Sequence, residues 1–357
     1  MLTHPTDKHR LFAISHRQTA RSTILLSLVR FSLLLTLMVI ILGAYTRLSD
    51  AGLGCPDWPG CYGHFTVPLS DQALKKAEFL YPHLEVEPAK AWAEMIHRYF
   101  AATLGLVVFA ITTLCIRYRP VAVGLPILIT GIVIFQAVLG MWTVTLKLLP
   151  LVVMGHLLGG LSLLCALFLL YWQLSPGLNS QPMRAQSGTL RALAGAALVV
   201  VVGQIMLGGW TSSNYAALMC SSLPICEGNW TQHLDFKTAF TPIHYGHDSY
   251  EFGVLDYGPR LTIHVAHRFG AILTILVVGI LVMTLRAAEE NKLAGHVLGV
   301  LMLQVLLGMA NVVMSLPLWA AVLHNLCAAF LLLAVVKCNY RLWASSPCRT
   351  VLTRVSR

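Results

Sequence analysis

Apolar residues in this chain are gathered into long runs rather than spaced at helical or alternating intervals. Eight runs, about 23–44, 95–116, 121–144, 151–172, 191–210, 262–285, 296–314 and 318–337, hold very few charged side chains. A helix needs roughly 20 apolar residues to cross about 30 Å of hydrocarbon, so each run predicts a membrane-spanning helix. The last two runs are short and read equally well as one long hairpin. Between the spans only two connections on one side are long, 45–94 and 211–261. Each is rich in Gly, Pro and Trp, and the first carries a short amphipathic stretch around Leu69 to Leu80. Loops of this kind can cap a site at the membrane surface.

Composition agrees with the pattern. A chain of 357 residues that is 57% hydrophobic and 11% charged, with mean hydropathy +0.71, is not a soluble globular domain. Lys and Arg gather in the N-terminus, around 117–120, 173–191 and 286–295, and in the C-terminal tail, whereas most Asp and Glu fall on the opposite side. The positive-inside rule then predicts both termini in the cytoplasm, or in the matrix for a mitochondrial chain. The net charge of +10 reports that topology and contact with anionic lipid, and makes no case for nucleic acid. The first twenty residues are polar and the run after them is too long for a cleavable signal peptide.

The chain also states one unit twice. Gln136 and His156 are separated by the same interval as Gln304 and His324, and Glu94-Met95-Ile96-His97-Arg98 is echoed by His264-Val265-Ala266-His267-Arg268. Cys55 with Cys61 and Cys220 with Cys226 repeat one spacing in the two long loops. The organisation expected is a cytoplasmic segment 1–22, an N-terminal half 23–172, a linker 173–190, a C-terminal half 191–337 and a cytoplasmic tail 338–357.

Four of the fourteen histidines, His97, His156, His267 and His324, lie inside spans, all on even-numbered helices a few residues below the same surface. An imidazole in hydrocarbon is costly unless it is hydrogen-bonded or ligates something. Four with repeat symmetry favour ligation over four separate interhelical hydrogen bonds. Zinc wants three or four protein ligands, whereas two histidines per half in apolar, Gly-rich surroundings suit a planar macrocycle with two axial imidazoles. Gly105, Gly155, Gly159, Gly160, Gly270 and Gly299 thin the helix surfaces for such a group, or for ordinary small-residue packing. Arg98 and Arg268 follow the first histidine of each half at the polar boundary, suited to haem propionates or to simple snorkelling.

The halves differ three residues before that histidine. Glu94 shares a helix face with His97, while His264 takes its place in the second half. A carboxylate at an apolar pocket's edge can exchange protons, which marks the N-terminal half as the candidate reaction centre and the C-terminal half as a permanent haem site. The loop cysteines allow structural disulfides, redox-active pairs or free thiols. Cys115, Cys165 and Cys327 in spans, and Cys338 and Cys348 in the tail, read as buried or tail residues.

Taken together, the run from Gly43 to Cys61, the Glu94 to Arg98 motif, the Gln136–His156 and Gln304–His324 units and His267-Arg268-Phe269-Gly270 resemble the haem A synthase family. The resemblance spans nearly the whole chain. It implies an all-α polytopic fold of eight transmembrane helices in two pseudo-symmetric four-helix bundles, in a bacterial cytoplasmic membrane. It implies haem b as cofactor on His267 and His324, and haem O as substrate on His97 and His156. Glu94 is then the essential acidic residue and Cys55 with Cys61 the functionally important loop pair. The implied reaction oxidises the C8 methyl group of haem O to a formyl group through hydroxymethyl and hydrated aldehyde stages. The implied partners are haem O synthase, terminal oxidase assembly factors, an electron-transfer partner that the residues do not identify, membrane lipid and a second copy of the chain. Cys220 with Cys226 matches the family less closely, and the task of 227–261 is unassigned. A di-haem b cytochrome confined to electron transfer shares the ligands without requiring Glu94. A repeat-built transporter shares the duplication, but a midplane site does not suit four shallow histidines.

Overall fold

Each apolar run becomes a helix, and most of these helices outrun the stretch that predicts them. The computed structural model describes residues 5–175 and 187–344. Its helices are α1 (Pro5–Leu48), α2 (Asp71–Leu80), α3 (Pro88–Tyr118), α4 (Gly124–Thr145), α5 (Pro150–Leu174), α6 (Gly188–Ser213), α7 (Phe236–Ala239), α8 (Tyr257–Ala287), α9 (Asn291–Val313) and α10 (Leu318–Ala344). Eight of them are long and apolar enough to cross a membrane, so the protein is a multi-pass membrane protein. Among the described residues there is no strand.

Two departures from the sequence reading have physical causes. α3 begins at Pro88 and α8 at Tyr257, earlier than their apolar runs, because Lys90, Glu94 and Arg260 occupy turns at the loop end. Hydropathy stops at the first charge, whereas a helix stops where its backbone bonding stops. Proline at the start of α3 suits a position whose N–H has no intrahelical partner. The two last runs are separate helices, and α10 carries on to Ala344, so Cys338 is a buried helical residue rather than part of a tail. Residues 1–4 of the N-terminal segment, 176–186 of the linker and 345–357 of the tail, Cys348 included, lie outside the described residues.

The helix neighbours repeat as the sequence does. α1 packs on α3 and α5, and α4 lies against α3 and α5; in the second half α6 packs on α8 and α10, and α9 lies against α8 and α10. Across the halves α1 meets α10 and α5 meets α6. Exchanging α1 for α6, α3 for α8, α4 for α9 and α5 for α10 returns the same set of neighbours. One core of buried Leu, Val and Ala joins α6, α8, α9 and α10 and extends to Leu161 and Leu164 of α5, with Leu33, Leu37 and Ile40 of α1 packed against it. A second core, with Val29, Val108, Ile111, Ile129 and Leu167, fills the first half.

The long loops are built onto the ends of this frame. Ser70 caps α2 by accepting from the Ala73 N–H, and Ala77 buries its inner face with Cys55, Cys61, Tyr62, Val67, Ala91 and Met95. Gly54 lets the first loop lie on the start of α3, since a Cβ there would stand 2.6 Å from a Lys90 backbone atom. The segment 227–261 bridges the halves at the loop end. Trp210 Nε1 donates to the Ala239 carbonyl at 2.8 Å, and the Tyr250 N–H donates to the Lys147 carbonyl of the α4–α5 turn at 3.0 Å. Arg47, at the end of α1, donates to the Ser212 carbonyl and lies 4.1 Å over the Tyr215 ring.

Candidate haem sites

The first half brings His97 of α3 and His156 of α5 together. Their ring centroids lie 6.5 Å apart, which leaves room for one metal ion at about 2 Å from a nitrogen of each ring. The His97 ring lies within hydrogen-bonding reach of the Val39 carbonyl on α1. The Nδ1 atoms of both histidines are buried with no partner, and an unsatisfied buried nitrogen is what a ligand position requires before its metal arrives. In the second half His267 of α8 lies within electrostatic range of His324 of α10, whose Nδ1 is likewise buried and unpartnered. The donor sets therefore fit a group held by two imidazoles in each half. Among the described residues no three or more His, Cys, Asp or Glu converge as a metal site, which leaves the histidine pairs.

Each of the four rings rests on a glycine of the helix beside it. A Cβ on Gly43, Gly140, Gly208 or Gly308 would stand 3.0, 3.5, 3.2 or 3.1 Å from Cε1 of His97, His156, His267 or His324. Beside two of the rings lie glutamines. Gln204 Nε2 is 3.1 Å from His267 Nδ1 and donates to the His267 carbonyl, and Gln304 Nε2 is 3.2 Å from His324 Nε2. The sequence reading missed Gln204 and these four glycines. Its own glycines sort differently: Gly159 and Gly270 make room for the side chains of Gln136 and Gln204, Gly105, Gly155 and Gly160 are in ordinary contact, and Gly299 meets nothing within 4 Å. A fixed interval from glutamine to glycine on α4, α6 and α9 is the signal that was available.

A bridged loop is fastened to the helix that carries the first histidine of each pair. Cys55 is bonded to Cys61 and Cys220 to Cys226. Arg98 Nη1 donates to the carbonyls of Asp57, Pro59 and Gly60, and Arg268 donates to those of Ser222 and Cys220. Both guanidinium groups thus fasten the loops. Glu94, 5% exposed, pairs with Arg98 and accepts from the Cys55 N–H at 2.8 Å. In the second half His264 takes that place, with its Nε2 3.1 Å from Arg268 Nε. Sequence spacing set Glu94 on the His97 face; the structure shows it engaged with the loop as well.

Eight spanning helices that carry, in each half, a pair of half-buried histidines and a cysteine-bridged loop define a polytopic helical membrane protein. The chain belongs to the cytochrome oxidase assembly protein family, which it matches over residues 10–336. It is 54% identical over 325 residues to the heme A synthase of Shewanella oneidensis, covering 89% of this chain and 97% of that one. The heme A synthases of Caulobacter vibrioides and Beijerinckia indica are 28% and 27% identical, over 82% and 90% of this chain and 89% and 93% of theirs.

Proposed function

We propose that this chain is a membrane oxidoreductase that carries out the reaction its relatives are named for, oxidising the C8 methyl group of haem O to the formyl group of haem A. The N-terminal half, 23–172, holds haem O between His97 and His156, and the C-terminal half, 191–337, holds haem b between His267 and His324. The observation that carries this reading is the pair of imidazoles 6.5 Å apart, with a buried carboxylate on the His97 helix that accepts from the bridged loop.

Haem b, when bound, supplies a route for electrons. The chain's own residues bind, orient and shield. The histidine pairs would hold each macrocycle, and the loops 45–94 and 211–261 would keep water from it. Arg98 and Arg268 stand at the rim suited to propionates while holding those loops closed. Glu94 holds or moves a proton at its carboxylate oxygens beside the substrate half, a role for which His264 leaves the other half without an acid. The Cys55–Cys61 and Cys220–Cys226 bridges belong to loops on the non-cytoplasmic side of a bacterial inner membrane, with both termini in the cytoplasm, as the charge distribution supports. Haem O synthase supplies the substrate, and terminal oxidase assembly takes the product.

The test is haem extraction with mass analysis from cells that lack their own haem A synthase and make haem O. Expression of the chain yields haem A, and purified H267A and H324A lose most haem b absorbance. Wild-type low-spin spectra in both variants would reject the ligand assignment, and no haem A from the wild-type chain would reject the reaction.

A further inference from the structure

The four histidine positions share a local design that departs from itself once. Gly43, Gly140, Gly208 and Gly308 face the four rings. One helical turn before three of those glycines stands a glutamine: Gln136 on α4, Gln204 on α6 and Gln304 on α9. On α1 the same place belongs to Val39. A second position changes with it. The residue three after the histidine is Gly159, Gly270 or Cys327 in the three units with glutamine, and Phe100 in the unit with Val39. The link is steric, because a Cβ on Gly159 or Gly270 would overlap the side chain of Gln136 or Gln204. Glutamine with a small residue is one arrangement, and valine with phenylalanine is the other.

An imidazole that gives one nitrogen to a metal keeps an N–H on the other, and an acceptor for that N–H fixes the ring and raises its donor strength. Gln204 and Gln304 stand 3.1 and 3.2 Å from ring nitrogens, and the Oε1 of each is buried without a partner. A carboxamide turned about its last bond presents that oxygen instead of its nitrogen, at Gln204 in exchange for the hydrogen bond that Nε2 donates to the His267 carbonyl. Both C-terminal histidines therefore have a spare acceptor beside the ring. His97 has the Val39 backbone carbonyl, as His324 has that of Gln304, but at Val39 no side-chain acceptor stands beside the ring.

Resting on the reading that each half holds a haem, we infer that Gln204 and Gln304 are positioning residues that fasten the C-terminal haem through His267 and His324, and that Val39 with Phe100 leaves His97 weakly supported so that the N-terminal site exchanges its occupant. A retained cofactor needs the first arrangement. A substrate that must leave as product needs the second.

The experiment draws haem from the purified full-length protein with excess apomyoglobin and identifies each departing pigment by mass. Removing this kind of support typically costs 10- to 100-fold in affinity, so Q204V and Q304V should release haem b faster by about that factor and shift its midpoint potential. Gln204→Glu keeps the shape and an acceptor oxygen and should restore retention. Pigment from the N-terminal half should leave all three variants at the wild-type rate, a control for folding. V39Q/F100G should slow departure of the N-terminal pigment by a similar factor. Wild-type haem b release from Q204V and Q304V, or unchanged N-terminal release from a V39Q/F100G protein of wild-type helix content, overturns the inference. If Q204V does not fold, the outcomes of Q204E and V39Q/F100G decide. A wild-type protein that carries no haem b would instead overturn the functional reading beneath it.

Discussion

Replacing Glu94 by alanine removes two interactions at once, the ion pair with Arg98 and the acceptor for the Cys55 N–H. Taking one partner from a buried pair costs about 3–5 kcal/mol when the other is left unpaired. Arg98 is not left so, because it still donates to the Asp57, Pro59 and Gly60 carbonyls. The loss therefore falls to about 2–3 kcal/mol, borne by the first loop rather than by the helices. At 1.4 kcal/mol per factor of ten, the open population of the loop rises roughly 30- to 150-fold. Limited proteolysis within 45–70 in mild detergent reads that population, and the C-terminal haem b band should not change. E94Q keeps an oxygen for the Cys55 N–H and should raise cleavage less than E94A. Haem A output separates holding the loop from handling protons: E94Q failing as fully as E94A implicates ionisation, while near-normal output from E94Q points to hydrogen bonding or packing. Wild-type cleavage in E94A would refute the coupling of carboxylate to loop, and full conversion by E94A would remove Glu94 from the reaction.

Two further outcomes follow from the loop end. Arg47→Ala should loosen the junction of the halves without touching a histidine, so proteolysis within 227–261 should quicken while both pigments stay bound; unchanged cleavage would show that the Ser212 and Tyr215 contacts add nothing. Burial, with the nearby Glu87, Asp57 and Glu94 carboxylates, holds the Tyr62 phenol above its ordinary value of 10. The stabilisation is thus present below pH 10 and is lost as pH rises through the folded value. Ultraviolet titration should show Tyr62 among the late tyrosines, with Tyr81 and Tyr215, and one fewer of them in Tyr62→Phe; identical curves would reject that environment.

The spans were legible because an apolar run of that length is at home only in hydrocarbon, and the histidine pairs because four imidazoles placed there must each find a partner. Helix starts were not, since hydropathy drops at Lys90, Glu94 and Arg260, although Lys90 pairs locally with Glu87 and Glu94 finds its Cys55 partner once the loop folds against it. The glycines under the rings were hidden among 27 glycines, as nothing local marks which one faces a neighbour. Gln204 was obscured because its histidine lies beyond a long loop, whereas Gln136 and Gln304 precede theirs by a short turn. The segment 227–261 has no periodicity from which its contacts with Lys147 and Trp210 could be read.

The core shared between the halves bears on the order in which the chain can be made. While only α1 to α5 have entered the membrane, Leu33, Leu37, Ile40, Leu161 and Leu164 lack the helices that later cover them. That exposure is cheap, because acyl chains are as apolar as leucine. The polar groups could not wait in the same way. Glu94 finds Arg98 and Cys55 within the first half, and Arg268 and His267 find Ser222 and Gln204 within the second. Each half can therefore satisfy these hydrogen bonds as it emerges from the insertion machinery, and what the two postpone until they meet is a surface that lipid tolerates and, at the loop end, the Arg47–Ser212 and Tyr250–Lys147 hydrogen bonds.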